Sequence, residues 1–277
     1  MFEDEKGPHD PVPEPPSPRE GGAVAAPGQA IRIEDLHKSF GRREVLRGFS
    51  LGVERGDLVA IIGGSGSGKS VLLRHLAGLV RPDRGRVLLD GRDVAQATRA
   101  ELASIHRTIG FLFQEGGLLA SLSLFDNLAL PLREEGSLGE EEIRSRVEDR
   151  LRRVGVAESS AKMPSELSGG MRKRAGLARA IIMDRSFLFL DEPTSALDPL
   201  TAASIRTLIR EVHDQGGVTT LVVTHDLALA RAVAGHVVFL QDGRVKQAGT
   251  YPELEGSSDP GVRDFFKAGR APERPGS

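Results

Sequence analysis

Ile61-Ile62-Gly63-Gly64-Ser65-Gly66-Ser67-Gly68-Lys69-Ser70 reads as the end of a strand, a glycine-rich turn, then a lysine and a hydroxyl at the mouth of a helix. Residues 57–62 before it form a short apolar run suited to a buried parallel strand. After it, Val71, Leu72, Leu73, His75, Leu76 and Leu79 continue at helical spacing. A glycine, four residues, then Gly-Lys-Ser is the pattern of a phosphate-binding loop. Its glycines let successive backbone N–H groups turn toward phosphates without Cβ clashes, and the helix N-terminus adds positive potential. Lys69 is expected to reach the β- and γ-phosphates, and Ser70 to place its hydroxyl on Mg²⁺. A flexible loop that merely caps a helix is the bland alternative. The flanking strand and helix favour a nucleoside triphosphate site.

The chain has 277 residues, enough for one large domain or a domain with an insertion. Hydrophobic residues at 39% and charged residues at 27% describe a globular composition. A net charge of −2 gives no global electrostatic reason to expect a nucleic-acid partner. Cysteine is absent, which excludes a disulfide framework and thiolate metal sites. No apolar run approaches the roughly 18 residues that span a bilayer, and the N-terminus lacks the basic and apolar pattern of a signal peptide. Any membrane role is therefore expected to run through a partner chain.

Residues 1–29 are expected to be a disordered tail, because seven prolines (Pro8, Pro11, Pro13, Pro15, Pro16, Pro18 and Pro27) alternate there with acids and glycines. Order is expected to begin with an alternating strand at residues 31–36, ending at Phe40, whose ring either stacks on a nucleotide base or simply packs. Further strands are expected at 45–53, 86–89 and 108–113, with a short helix over 99–106. Gln114 then stands just past a strand tip, where ligands reach a doubly wound sheet.

From about 116 to 181 strand signals vanish. Phe125, Leu128 and Leu132 share a helical face that Pro131 is expected to interrupt, and residues 140–154 form a charged amphipathic helix. Leu167-Ser168-Gly169-Gly170-Met171 then opens another helix, with Met171, Ala175, Ala178 and Ile182 as its packing stripe. Its N-terminus offers either a second anion site or an ordinary cap. The basic residues Arg172, Lys173, Arg174 and Arg179 read alone as a solvated face or a contact for an acidic partner.

Phe187-Leu188-Phe189-Leu190-Asp191-Glu192 is a hydrophobic strand ending in two acids. Carboxylates at the tip of a core strand call for a cation opposite, and Mg²⁺ in the phosphate site supplies one. Asp198 and Pro199 start the next helix as N-cap and first-turn proline. His225 ends the strand at 218–225 and shares the strand-tip edge with Lys69, Gln114 and Asp191. Residues 237–248 read as a closing hairpin around Asp242-Gly243, followed by a short helix at Phe265-Phe266.

Together these pieces resemble the nucleotide-binding domain of ABC transporters, over residues of about 30–250. The resemblance is carried by residues 63–70, Gln114, Leu167-Ser168-Gly169-Gly170, Leu190-Asp191-Glu192, Ser195-Ala196-Leu197-Asp198 and His225, in the family's order. It implies an α/β fold: a P-loop NTPase (RecA-like) core, an antiparallel β subdomain, and a helical subdomain inserted at about 116–181. Residues 251–277 are then a C-terminal extension. ATP and Mg²⁺ are the implied cofactors. Gly63, Gly64, Ser65, Gly66, Ser67, Gly68, Lys69, Ser70 and Val71 hold the nucleotide, and Phe40 takes the base-stacking position. Ser70, Gln114 and Asp191 face the metal, Glu192 is the implied general base, and Lys69 and His225 contact the γ-phosphate. Two copies are implied to meet head to tail, so that Ser168, Gly169 and Gly170 of one chain close the phosphate site of the other, with Asp198 at the seam.

Met171, where the family usually has glutamine, and the run from Phe113 through Leu119 with residues 121–134 look like the phospholipid-transport ATPases of the Mla/Mce type. That likeness implies an integral membrane permease, a periplasmic MCE-domain protein and a possible STAS-domain subunit as partners, and a place on the cytoplasmic face of a bacterial inner membrane. Transport of another substrate, such as amino acids, metals or peptides, is the nearest alternative. A soluble ABC ATPase is a different class. The translation-factor type carries two cassettes and the DNA-repair type a long coiled-coil insertion, so the single-cassette iron–sulfur assembly type is the one left standing. Lys69, Asp191, Glu192 and His225 are all present, which argues against a degenerate subunit.

Overall fold

The computed structural model describes residues 29–270, and the proline-rich stretch before Gln29 lies outside them, as do residues 271–277. Two sheets organise the described chain. The first is antiparallel, with strands β1 (Gln29–Phe40), β2 (Arg43–Glu54), β4 (Arg84–Leu89) and the two-residue β5 (Arg92–Asp93) in the order β2-β1-β4-β5. The second joins β3 (Leu58–Ile62), β6 (Ile109–Leu112), β7 (Phe187–Asp191), β8 (Thr219–Thr224), β9 (His236–Gln241) and β10 (Arg244–Gly249) in the order β10-β9-β3-β8-β7-β6. Five of its strands run parallel and β10 closes one edge antiparallel to β9. Parallel strands covered on both faces should be apolar throughout, and every residue of β3, β7 and β8 is buried.

The parallel register brings the C-terminal tips of β3, β7 and β8 to one edge, because Ile62 pairs with Thr224 and Asp191 with Val223. Helix α1 (Lys69–Leu76) leaves β3 through the glycine-rich turn, and its Leu72, Leu73 and Leu76 join the core between the two sheets. Helix α2 (Arg99–His106) is fixed at its start by a capping box between Thr98 and Glu101.

Among the described residues no strand lies between Leu112 and Phe187; helices α3 (Leu124–Glu135), α4 (Glu140–Arg153) and α5 (Gly169–Ala180) fill that stretch. Pro131 does not interrupt α3, contrary to the sequence reading. Proline removes the N–H that would serve the carbonyl of Asn127, and Arg179 on α5 supplies the missing donor, its Nε donating to Asn127 O at 3.2 Å and its Nη1 to Gly117 O at 3.0 Å. The wholly buried Asn127 side chain ties down the preceding loop, donating to Leu119 O, Leu122 O and Ser123 O while its Oδ1 accepts from Leu119 N. Helix α5 ends at Ala180, so Ile182 of its expected stripe packs from the turn that follows.

Helix α6 (Pro199–Gly216) is capped by Asp198, whose Oδ1 accepts from Leu200 N and Thr201 N, and it ends on Gly217 at φ +55°. Helix α7 (Leu227–Val233) is capped in the same way by Asp226. The C-terminal extension forms two helices where the sequence reading had one, α8 (Tyr251–Glu255) and α9 (Pro260–Arg270). Tyr251, Leu254, Val262 and Phe266 pack with Ala60, Ile62, Leu227 and Phe239, which covers the β3–β9 side of the sheet.

Candidate nucleotide site

The phosphate loop bridges β3 and α1 with Gly66 at φ +76° and Gly68 at φ +107°, backbone angles that a side chain disfavours. A Cβ on Gly63 would sit 2.2 Å from Leu240 O, so the loop presses directly on β9. No side chain caps α1, so its first-turn N–H groups are without a side-chain acceptor, and Lys69 and Ser70 at its start line the cleft. Lys69 is folded back, donating from Nζ to Gly63 O at 2.8 Å and Gly64 O at 3.0 Å. Burial lowers its pKa, and the nearby Glu192 carboxylate opposes that shift.

A cleft of about 590 Å³ opens above this loop, lined by Gly64, Ser65, Gly66, Lys69, Ser70, Gln114, Glu192 and His225. A smaller depression beside it is lined by Arg43, Val45, Gly66, Gly68, Lys69, Ser70 and Val71. Four separate strand tips thus contribute to one cleft, the arrangement in which open α/β sheets bind ligands. Ser70 Oγ donates to Asp191 Oδ1 at 2.8 Å, so two hard oxygen atoms stand side by side at the floor. Burial pushes the Asp191 pKa up, while the Ser70 hydrogen bond opposes the shift.

Glu192 has φ +48°, a left-handed backbone whose cost is on the order of 1–3 kcal/mol. Its N–H donates to Val223 O at 2.9 Å, which fixes the turn against β8. Its carboxylate is held from three sides. Oε1 lies 3.6 Å from Lys69 Nζ, and Oε2 accepts from Thr224 Oγ1 at 3.1 Å and His225 N at 3.3 Å. The His225 ring meets the same oxygen, its Nδ1 lying 2.9 Å from Oε2, and the ring stays more than half exposed. A carboxylate poised at a phosphate-loop lysine, with a histidine beside it, can polarise a water molecule against a bound γ-phosphate.

Other expected site residues lie elsewhere in this chain. Ser168 caps α5, its Oγ accepting from Met171 N at 3.3 Å; Ser168 and Gly169 are exposed, and none of Ser168, Gly169 and Gly170 lines the phosphate cleft. A second cleft of about 560 Å³ is lined by Glu115, Gly169, Arg172, Lys173, Ser195, Ala196 and Leu197 among others. Asp198 is exposed at the start of α6, and its capping hydrogen bonds hold its carboxyl below the usual range. Phe40 is half exposed at the end of β1 with Lys38 Nζ 5.4 Å from its ring centre, and it lines neither phosphate-loop depression.

Sequence reasoning missed several contributors. Thr224, the last residue of β8 and one position before His225, was findable from the strand tip. Phe265, Ala268 and Gly269 of α9 also line the phosphate cleft, which no local signal announces. Lys173 is not on a solvated face: it is 7% exposed, and its Nζ donates to Glu192 O at 2.7 Å and to Ser195 O and Oγ at 2.6 Å each. Burial brings its pKa down to about 8 against the pull of Glu192 and Asp191. Gly176 and Ala180, three and seven positions on, are buried on the same side of α5 and mark it as packed. Arg172 and Arg174 likewise serve Leu167 O and Ser204 Oγ, and Arg179 serves Asn127 O of α3 and Gly117 O of the loop before it.

Comparison with known proteins points the same way. A family model described as "ABC transporter" matches residues 46–195. A probable ribonucleotide transport ATP-binding protein, mkl of Mycobacterium leprae, is 41% identical over 243 residues, covering 88% of this chain and 70% of that protein. The methionine import ATP-binding protein MetN of Cereibacter sphaeroides is 42% identical over 247 residues, covering 87% and 70%. The intermembrane phospholipid transport system ATP-binding protein MlaF of Haemophilus influenzae is 38% identical over 237 residues, covering 86% and 90%. Among solved structures, the dimeric post-hydrolysis state of the ATP-binding cassette MJ0796 bound to ADP and Pi superposes with a TM-score of 0.75 at 31% identity, over 80% of this chain and 98% of that one. The chain therefore belongs to the ABC transporter family, as an ATPase subunit that binds and hydrolyses ATP.

Proposed function

We propose that this subunit energises phospholipid transport between bacterial membranes, working as a head-to-tail pair beneath a permease. The observation that carries the lipid assignment is the segment at 113–134 together with Met171, which looks like the phospholipid-transport ATPases, one of which is 38% identical to this chain over 237 residues. Methionine-type import is the second reading, favoured by the 42% identity of that relative.

In the proposed reaction ATP enters the 590 Å³ cleft and its phosphates take the loop N–H groups and Lys69, which exchanges the carbonyls of Gly63 and Gly64 for phosphate oxygen. Ser70, Asp191 and Gln114 are oxygen donors of the kind Mg²⁺ selects and would hold it; when bound, the ion neutralises charge developing on the β- and γ-phosphates. Glu192 accepts the proton of the attacking water while His225 steadies the carboxylate and the γ-phosphate. Ser168, Gly169 and Gly170 arrive from the second copy, because in their own chain they lie away from the phosphate cleft. The dimeric state of the MJ0796 cassette supports this pairing. On this reading residues 30–250 form the ATPase domain, and the helical stretch at about 116–181 is a subdomain that meets the permease. Among the described residues no helix is long and apolar enough to cross a membrane, so a permease would supply the attachment to the cytoplasmic face. An MCE-domain protein and a STAS-domain subunit complete the proposed assembly.

The test is a native purification of the full chain from solubilised membranes, with mass spectrometry of bound proteins and lipids. A permease, an MCE-domain protein and phospholipid are expected. A solute-binding protein in their place moves the assignment to import, and soluble partners alone remove transport from it.

A further inference from the structure

Lys173 stands apart from every other basic residue of α5. It is buried, and all three acceptors of its ammonium belong to the turn that follows β7. An ammonium carries three N–H donors, so the match of donors to acceptors is complete. That turn is unusual in its backbone: Glu192 at φ +48° and Ala196 at φ +58° are both left-handed non-glycine residues, two within five positions. Such conformations persist only when their surroundings over-determine them. Glu192 is clamped on both sides of its α-carbon, by Val223 O on its N–H and by Lys173, with Ser195 N and Oγ, on its carbonyl. With the backbone held, the carboxylate keeps its place between Lys69, Thr224 and His225.

We propose that Lys173 is a positioning residue for ATP hydrolysis, gripping the Glu192–Ser195 turn so that the Glu192 carboxylate of the same chain faces the attacking water. Lys173 sits five residues after Ser168 on one continuous helix. Closure of the Ser168 end onto a second copy's nucleotide therefore pulls on the turn that aims Glu192, and each site feels the occupancy of the other. This second step rests on the head-to-tail pairing proposed above; the positioning role itself does not.

The first experiment is steady-state ATP hydrolysis by the full chain carrying Lys173→Met, which keeps the length of the side chain and removes its donors. A fall in kcat of about tenfold to a hundredfold is expected, the size that misplacing a reacting group produces, with KM and ATP affinity near wild type. Lys173→Gln, which restores two donors, should recover part of kcat. Ser195→Ala removes an acceptor without touching the buried lysine and should lower kcat several-fold at constant KM. Unchanged kcat in the Met variant, or kcat, KM and thermal midpoint all moving together with no recovery by glutamine, would overturn the assignment. Mixed dimers locate the effect. Lys173→Met and Glu192→Gln placed on one chain opposite a wild-type partner should match the Glu192→Gln/wild-type dimer, whereas splitting them between the two chains should lower the remaining turnover by the same factor of about tenfold to a hundredfold. Equal rates for the two arrangements would overturn action through the same chain's Glu192. Failure of Glu192→Gln alone to form an ATP-dependent dimer would count against the pairing and leave the single-chain kcat comparison to decide the role of Lys173.

Discussion

Helices α1 and α5 begin alike and are used differently. Each follows a serine- and glycine-containing turn, each has a lysine in its first two turns, and each buries a basic residue on its inner side. Helix α1 has a left-handed glycine as N-cap and no capping side chain, which leaves its first-turn N–H groups for a ligand. Its lysine is the first helical residue and bends back over the loop. In α5 a serine occupies the capping position, and the lysine lies four residues further in, turned away from the N-terminus onto the Glu192–Ser195 turn. One helix start is therefore uncapped with a lysine folded over its loop, while the other is an exposed, serine-capped edge braced from behind. A glycine-rich helix start shows that an anion can be met there, and the position of the cation shows whether the chain meets it alone.

The sharpest way to break this contrast is to damage each start and compare what survives. Glu192→Gln should retain ATP binding and lower kcat by about a hundredfold to ten-thousandfold, the usual contribution of a general base, while ATP accumulates a closed dimer visible by light scattering. Ser168→Arg should cut turnover as deeply with ATP affinity per chain intact, yet give no closed dimer, since the arginine blocks the edge that docks. If Ser168→Arg weakens ATP binding to the isolated chain, α5 contributes to its own chain's pocket and the contrast fails.

A smaller effect tests how the edge is braced. Arg179→Met leaves Asn127 O and Gly117 O without their donors, which should lower stability to urea by about 1–3 kcal/mol. Pro131→Ala returns an N–H to Asn127 O, so it should recover part of that loss in the Arg179→Met background and matter less in the wild type. Strict additivity of the two substitutions would show that Arg179 does not stand in for the missing backbone donor.

The parts legible in advance were those whose chemistry is local in sequence. The phosphate loop, the acidic end of β7 and the hydrophobic strands each declare themselves within ten residues, and the order of Gln114, Ser168, Glu192 and His225 supplied the rest by resemblance. Arg179 and Pro131 were misread because the donor for a carbonyl in α3 comes from 52 residues away in the chain. Lys173 was misread because a charge on a helix is ordinarily solvated, and its acceptors, two backbone carbonyls and the Ser195 hydroxyl, lie about twenty residues further along the chain. The approach of α9 to the phosphate cleft depends on the packing of Val262 and Phe266 against β3 and β9, a long-range match that periodicity alone does not reveal.

The mildest test returns to the buried basic residues. Where Lys173 has a partner for every donor, His75 on α1 has one: its Nδ1–H donates to Val71 O at 2.7 Å, and its buried Nε2 has no hydrogen-bond partner among the described residues. Burial lowers the His75 pKa, with Lys38 adding to the shift and the Val71 bond and Asp83 opposing it. The folded state thus holds a neutral imidazole, and the unfolded chain takes up its proton first as pH falls. The His75 contribution is therefore undiminished above the ordinary histidine value of about 6.5 and is lost as pH drops below it. Urea midpoints at pH 7.5 and pH 5.5 should differ in the wild type, and His75→Leu should shrink that difference while leaving Lys69 and ATP binding in place. An equal pH slope in both proteins would mean that Nε2 finds a partner when protonated, and the two helices would then bury their cations on the same terms.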